Sequence, residues 1–349
     1  MLYARAVRIL AIAILFGATA AAADDTPLDD PALQLLVTPS PDHKPFVDAI
    51  DGAHTSVDMA MFHLTDPQAI EALVKAAKRH VAVRVILDGA SLKDPKLARI
   101  QTRLHDAGVD VRASSTAFSI THEKAMVVDR QAAFITAINL TKPVATTRDF
   151  GIVTHDRSIV DEVERVFEAD LDNAKNSTGE TPELHVASLV WSPVDSRAKL
   201  KSLIERATKT LDVTVENLGD AVIADALIAA VKRKVAVRLI VPACDKNEDP
   251  HHNFPPAAKL AKAGVVVHAM LAPESATQPY MHSKMILADG AIAYVGSVNF
   301  STNSTTKARE LGVIFANKAA AKTIASTFDI DWGHAVALPD PAPACPTQQ

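Results

Sequence analysis

Thr121-His122-Glu123-Lys124-Ala125-Met126-Val127-Val128-Asp129 and Met281-His282-Ser283-Lys284-Met285-Ile286-Leu287-Ala288-Asp289 are two copies of one pattern, H-x-K-x4-D. The apolar residues between Lys and Asp predict a β-strand. Side chains two apart share a strand face, so His and Lys project into one space while Asp falls near the turn. His122, Lys124, Asp129 and Asn139 match His282, Lys284, Asp289 and Asn299 at an offset of 160. Upstream, Thr38-Pro39, Asp58 and residues 81–86 match Ser192-Pro193, Asp212 and residues 235–240 at an offset of 154. The chain is therefore a duplication, and the six-residue difference is expected as an insert in the polar stretch 244–256.

Outward from the motifs, each half reads in the same order. A helix (45–53, 198–207) leads to a β-rich run (56–62, 211–215), then to a helix with apolar residues at helical spacing (67–78, 221–232). A buried-type strand follows (81–87, 235–241), which implies a parallel βαβ unit. A further helix (95–107, 257–263) stops at Gly108 or Gly264 before the strand 109–112 or 265–268, and two hairpin-like runs close each half. Alternating strands and helices predict an α/β protein with a mixed sheet in each half and helices outside. Copies pack most simply as a pseudo-twofold pair, with equivalent residues facing each other. The polar stretch 173–184 reads as the linker, giving halves at 24–178 and 179–336 and a Pro-rich tail at 337–349.

With 349 residues, 48% hydrophobic and 22% charged, the chain has ample material for two fused halves. Lys plus Arg number 36 against 41 Asp plus Glu, and a net charge of -5 gives no general attraction for nucleic acid or anionic membrane. Any anion must be gripped locally. Arg5 and Arg8 precede an apolar run and then Ala21-Ala22-Ala23, so residues 1–23 read as a cleavable signal peptide. The apolar core falls short of the ~20 residues that span a bilayer, so an exported, secreted or periplasmic chain without a transmembrane anchor is expected. Cys244 and Cys345 are the only cysteines; an oxidising compartment would let them pair, and two unpaired thiols are the alternative. His251-His252, near Cys244 and Asp245, lacks metal-ligand spacing and reads as a solvated polar loop.

Beyond each motif comes an acid in similar context: Arg148-Asp149-Phe150-Gly151 and Arg309-Glu310-Leu311-Gly312, 27 and 28 residues after the motif His. Asn139 and Asn299 complete the sets, with Ser297 beside Asn299 in Gly296-Ser297-Val298-Asn299 and no hydroxyl at the equivalent Ala137. The paired H-x-K-x4-D motifs, each followed by an Asn and an acid, resemble the phospholipase D superfamily over nearly the whole mature chain. The resemblance implies a duplicated phospholipase D-like fold, with His122 as nucleophile and His282 as acid. It also places Glu216-Asn217 at a segment bordering the pocket, where His63 is the equivalent of Asn217.

The chemistry agrees. Cleaving a phosphodiester needs a nucleophile, an acid for the leaving oxygen, and positive charge around the phosphoryl oxygens. Two His, two Lys and two Asn supply all three, so no metal or other cofactor is required. Asp149 and Glu310 are each expected to accept a hydrogen bond from the far nitrogen of the histidine in their own half. Asp129 and Asp289 are expected to tie down turns. Ser297, Asn139, Asn299, Glu216 and Asn217 are candidate substrate contacts, with the missing first-half hydroxyl making phosphate contacts unequal. An acidic chain with only 5% aromatic residues favours phospholipid over nucleic acid as substrate. Hydrolysis to phosphatidic acid and an alcohol by a monomer is the expectation. An exported nuclease and a non-catalytic binding module are the rivals.

Overall fold

The computed structural model describes residues 26–245, 249 and 251–346; the expected leader, 1–23, lies outside them. The first half runs β1 (Gln34–Val37), α1 (Lys44–Asp51), β2 (Ser56–Met61), α2 (Pro67–Lys78), β3 (Ala82–Leu87), α3 (Pro95–Asp106), β4 (Asp110–Ala113), β5 (Lys124–Val128), β6 (Ala132–Thr136), β7 (Thr147–Arg148), β8 (Phe150–Thr154) and α4 (Arg157–Asn176). The second runs β9 (Leu189–Ser192), α5 (Ser196–Arg206), β10 (Thr210–Val215), α6 (Ala221–Lys232), β11 (Ala236–Pro242), α7 (Phe254–Lys262), β12 (Val266–Met270), β13 (Tyr280–Met281), β14 (Lys284–Ala288), β15 (Ile292–Gly296), α8 (Thr302–Thr306), β16 (Glu310–Phe315), α9 (Lys318–His334) and β17 (Val336–Ala337).

The sheet orders are β1-β8-β6-β5-β2-β3-β4 and β17-β12-β11-β10-β14-β15-β16-β9, the same topology twice with β17 added. Each has a parallel side, β2-β3-β4 or β10-β11-β12, and an antiparallel side carrying the motif strand. α2 and α6 begin where Asp66 and Asp220 accept hydrogen bonds from backbone N–H groups of the first turn. Both faces of each sheet are covered, so β5 and β14 are buried throughout and read as unbroken apolar runs. The halves share a core in which Ile135, Phe150 and Ile152 meet Met285, Val295, Leu311 and Val313, flanked by Val163 of α4 and Phe328 of α9. Truncating a fully buried member such as Ile135 costs about 2–5 kcal/mol.

Three expectations are corrected here. Arg84 pairs with Asp110 as Arg238 pairs with Val266, so the offset is already 156 at β4 and β12. The insertion is therefore divided: two residues precede α7 and four lie between β12 and the second motif. The stretch 173–184 is not all linker, because α4 continues to Asn176. Asn173 is buried there, its amide donating to Glu180 O at 2.7 Å and accepting from Thr178 Oγ1 at 2.7 Å. Nor is His251-His252 simply solvated. Cys244 and Cys345 form a disulfide, His251 Nε2 lies 2.7 Å from Pro343 O, and His252 Nε2 meets Asn217 Oδ1 at 2.9 Å. His251 and His252 are thus held between the tail and the pocket wall.

The long helices α4 and α9 had no place in the pattern read from sequence. Each ties its half to the other through a buried ion pair. Asp331 of α9 takes Arg148 at 2.6 and 2.8 Å, and Asp170 of α4 takes Arg309 at 2.8 Å. No helix among the described residues is long and apolar enough to cross a membrane.

Candidate active site

The motif strands meet where the halves join. β13 pairs in parallel with β7, and its counterpart is the bridge from Thr121 to Arg309; His122 N–H donates to Arg309 O at 2.9 Å. Each motif histidine therefore enters the site alongside the strand of the other half that carries the acid. The rings of His122 and His282 lie 6.4 Å apart, centroid to centroid.

This crossing overturns the expected pairing. His122 Nδ1 is 2.9 Å from Glu310 Oε2, and His282 Nδ1 is 2.8 and 3.0 Å from the two oxygens of Asp149. Each acid serves the histidine of the opposite half, because the parallel strand pairing at the seam brings Arg148 beside Met281 and Arg309 beside Thr121. Hydrogen-bonded to a carboxylate oxygen, each Nδ1 carries a hydrogen, and Nε2 is the ring nitrogen left to react. Gly151 and Gly312, two residues beyond the acids, allow close approach: a Cβ on Gly312 would strike the Tyr294 ring, and one on Gly151 the Thr136 side chain.

Lys124 and Lys284 are 1% exposed and close back onto the carbonyls of their own motif histidines. The sets differ at the next position. Lys284 Nζ also donates to Glu216 Oε2 at 2.7 Å, and Tyr280 OH donates to Glu216 Oε1 at 2.9 Å. Glu216 Oε2 lies 3.5 Å from His282 Nε2. The equivalent residue is Phe62, whose ring meets His122 edge-on at 4.8 Å and lies 4.9 Å from Lys124 Nζ. Phe62 thus packs on His122 from the position at which Glu216 approaches His282 Nε2.

The electrostatics follow. Burial, with Lys124 and Lys284 adding to it, pushes the His122 imidazole well below its usual value. Burial raises Glu310 to about 7 against the pull of Lys124. Lys124 is lowered to about 7 by burial and by the charge of Lys284. For Glu216, burial alone would raise the carboxyl, but His282 and Lys284 outweigh it and hold it well below the usual range.

A cavity of about 680 Å³ opens onto this pair, lined among others by Asn139, Asn299, Glu216 and Asn217. Asn299 Oδ1 accepts from Asn217 N–H at 3.0 Å, whereas Asn139 Oδ1 is buried without a hydrogen-bond partner among the described residues. Ser297 is corrected. Its hydroxyl is fully buried and bonds the backbone of Leu311 (3.1 and 3.2 Å) behind the wall, and its carbonyl lies 3.2 Å from His122 Nδ1. The inequality between halves therefore lies at Glu216 and Phe62. Asp129 accepts from the N–H groups of His54, Thr55 and Ser56, and Asp289 from those of Thr208, Lys209 and Thr210, so both tie the motif turn to the strand start. The sequence reading missed Tyr280 and Phe62. The first was available from strand alternation, standing two residues before His282.

Residues 46–171 and 200–332 match the sequence family described as "Cardiolipin synthase, PLD-like domain". The chain is 26% identical over 300 residues to a probable cardiolipin synthase, YwiE, of Bacillus subtilis, covering 75% of this chain and 57% of that one. It is 31% identical over 97 residues to a phospholipase D of Rickettsia prowazekii, covering 27% of this chain and 45% of that one. The matched segments span about half the length of these two relatives. Among solved structures, a phosphatidylserine synthase of Haemophilus influenzae shares the fold, with a TM-score of 0.66 and 12% identity over 89% of this chain and 88% of that one. With both halves matched and both motifs facing one cavity, the chain belongs to the phospholipase D superfamily.

Proposed function

We propose that the protein is an exported phosphodiesterase of phospholipase D type that cleaves the headgroup ester of a phospholipid through a phosphohistidine. The observation that carries the reading is the pair of imidazoles 6.4 Å apart at one cavity, each anchored at Nδ1 by a carboxylate. In the first step the Nε2 lone pair of His122 attacks phosphorus. A P–N bond forms, the P–O bond to the headgroup breaks, and the His282 imidazolium gives its proton to the leaving alcohol. In the second, neutral His282 takes a proton from water, the hydroxide attacks phosphorus, and the P–N bond breaks to yield phosphatidic acid and free His122.

The asymmetry supports this order of roles. His122, against Phe62 and driven neutral by burial, suits the nucleophile, and His282, beside the Glu216 carboxylate, suits the proton donor. Lys124, Lys284, Asn139 and Asn299 would surround the phosphoryl oxygens; Glu310 and Asp149 would orient the rings and steady the imidazolium.

The match to a probable cardiolipin synthase over 75% of the chain favours a second reading, in which an alcohol replaces water in the second step. Purified protein in EDTA, given phosphatidylcholine vesicles with and without glycerol and, separately, single- and double-stranded DNA, tests both. Phosphatidic acid alone supports hydrolysis, and phosphatidylglycerol supports transfer. DNA cleavage without lipid turnover overturns the lipid assignment, and no reaction on any substrate overturns the enzyme.

A further inference from the structure

The same constellation has a second chemistry that phosphodiester cleavage does not use. One ligand atom from each of His122, His282 and Glu216 lies within 4.8 Å of the others. Two imidazoles and a glutamate are a common ligand set for zinc, with bonds of about 2.0–2.2 Å and a fourth position left to water. Ligand atoms in such a tetrahedron stand about 3.3 Å apart, so the three side chains need close by at most about 1.5 Å.

The surroundings are those of a metal site. Imidazoles that bind zinc almost always donate the other ring N–H to a carboxylate, a backbone carbonyl or water, which fixes ring and tautomer. Both histidines do so here, His122 to Glu310 and His282 to Asp149, leaving the Nε2 lone pairs aimed at the cavity. Glu216 is held by Tyr280 through Oε1, and its Oε2 is on the side of His282. Lys284 is the competitor, occupying Oε2 at 2.7 Å, and a metal ion must displace it. The first half could not form this site alone, since Phe62 stands where the carboxylate would be.

We propose that His122, His282 and Glu216 bind a divalent transition-metal ion, zinc above all, and that the bound ion shuts the pocket to phosphodiesters. The ion occupies the lone pairs that attack phosphorus and carry the proton, so it acts as an inhibitor. Magnesium and calcium, which prefer oxygen ligands, do not fit the set. A second candidate cluster among the described residues, Cys244, His251 and Cys345, offers no thiolate because its sulfurs are joined.

The test is direct titration of EDTA-stripped full-length protein with Zn2+ by calorimetry and with Co2+ by visible absorption, without substrate, so that it stands apart from any failure of the phosphodiesterase reading. One equivalent is expected to bind, with the intense d–d bands of a tetrahedral ion and none from Mg2+. Glu216→Gln and Asp149→Asn should each weaken binding about tenfold or more, the second by freeing a ligand's ring without removing a ligand. His251→Ala should change nothing. Absence of Zn2+ binding, or binding retained in well-folded His122→Ala and His282→Ala proteins, overturns the site.

Discussion

His122 Nδ1 lies 2.9 Å from the carboxylate of Glu310, a residue of the other half of the duplication. The reciprocal contact joins His282 to Asp149 at 2.8 Å. Each ring is thereby oriented by the half it did not come from, and neither half holds an oriented histidine by itself.

Removing either imidazole should lower turnover by orders of magnitude without unfolding the protein. His122→Ala should lose about 10⁴-fold or more, and His282→Ala about 10²–10⁴-fold on ordinary headgroups. Rapid alkaline quench followed by mass spectrometry should place the phosphatidyl group, or its deacylated glycerophosphoryl remnant, on His122; label on His282 would reverse the roles.

The crossed pairing makes opposite predictions for the two acids. Asp149→Asn acts on the proton donor, so its loss of about 100-fold on a choline or ethanolamine ester should shrink to under about tenfold with a nitrophenyl leaving group, which needs no protonation. Glu310→Gln acts on the nucleophile, and its penalty should be similar on both substrates. Leaving-group rescue of Glu310→Gln instead of Asp149→Asn would restore the pairing within each half.

Acid stability should depend on the two turn aspartates. Burial alone would raise each carboxyl, but three backbone N–H donors and a threonine hydroxyl bring Asp129 and Asp289 to about 2. A depressed folded-state value gives stability that is present above about pH 4 and is lost as pH falls toward 2. Melting temperature against pH should therefore fall less steeply over that window in the Asp129→Asn, Asp289→Asn double variant than in the parent. An unchanged slope would discount these turns.

Arg309 is fully buried against Asp170, and Arg148 is nearly so against Asp331. Removing one partner strands a buried charge, so Arg309→Ala should cost about 3–5 kcal/mol in urea unfolding. A loss under about 1 kcal/mol would show that the seam does not depend on this pair.

The disulfide spans 101 residues of chain and fixes the tail just beyond the end of β11. Cys345→Ser should lower stability by about 2–4 kcal/mol, read as a drop in Tm that reducing agent reproduces in the parent and not in the variant.

The duplication made much of this legible in the chain itself. Strand alternation, helical spacing and stop glycines are local, and each was written twice: α2 and α6 match their expected bounds, and the H-x-K-x4-D runs form β5 and β14 from the lysine onward. A motif shared by two copies named the family before any contact was known. The helices α4 and α9 escaped because their charged inner residues, Asp170 and Asp331, obscure the apolar face; those charges are buried against arginines of the other half.

What the chain order could not hold was partnership. Asp149 follows His122 by 27 residues and Glu310 follows His282 by 28, spacings that suggest pairing within each half. Only the strand pairing across the seam, β7 with β13, sends each acid to the opposite ring. Likewise, residue type alone did not separate Glu216 from any acid at a strand end, nor Phe62 from any core aromatic. Their standing on opposite histidines is set by the tertiary fold, because a side chain's charge environment is made by neighbours in space, whereas its secondary structure is made largely by neighbours in sequence.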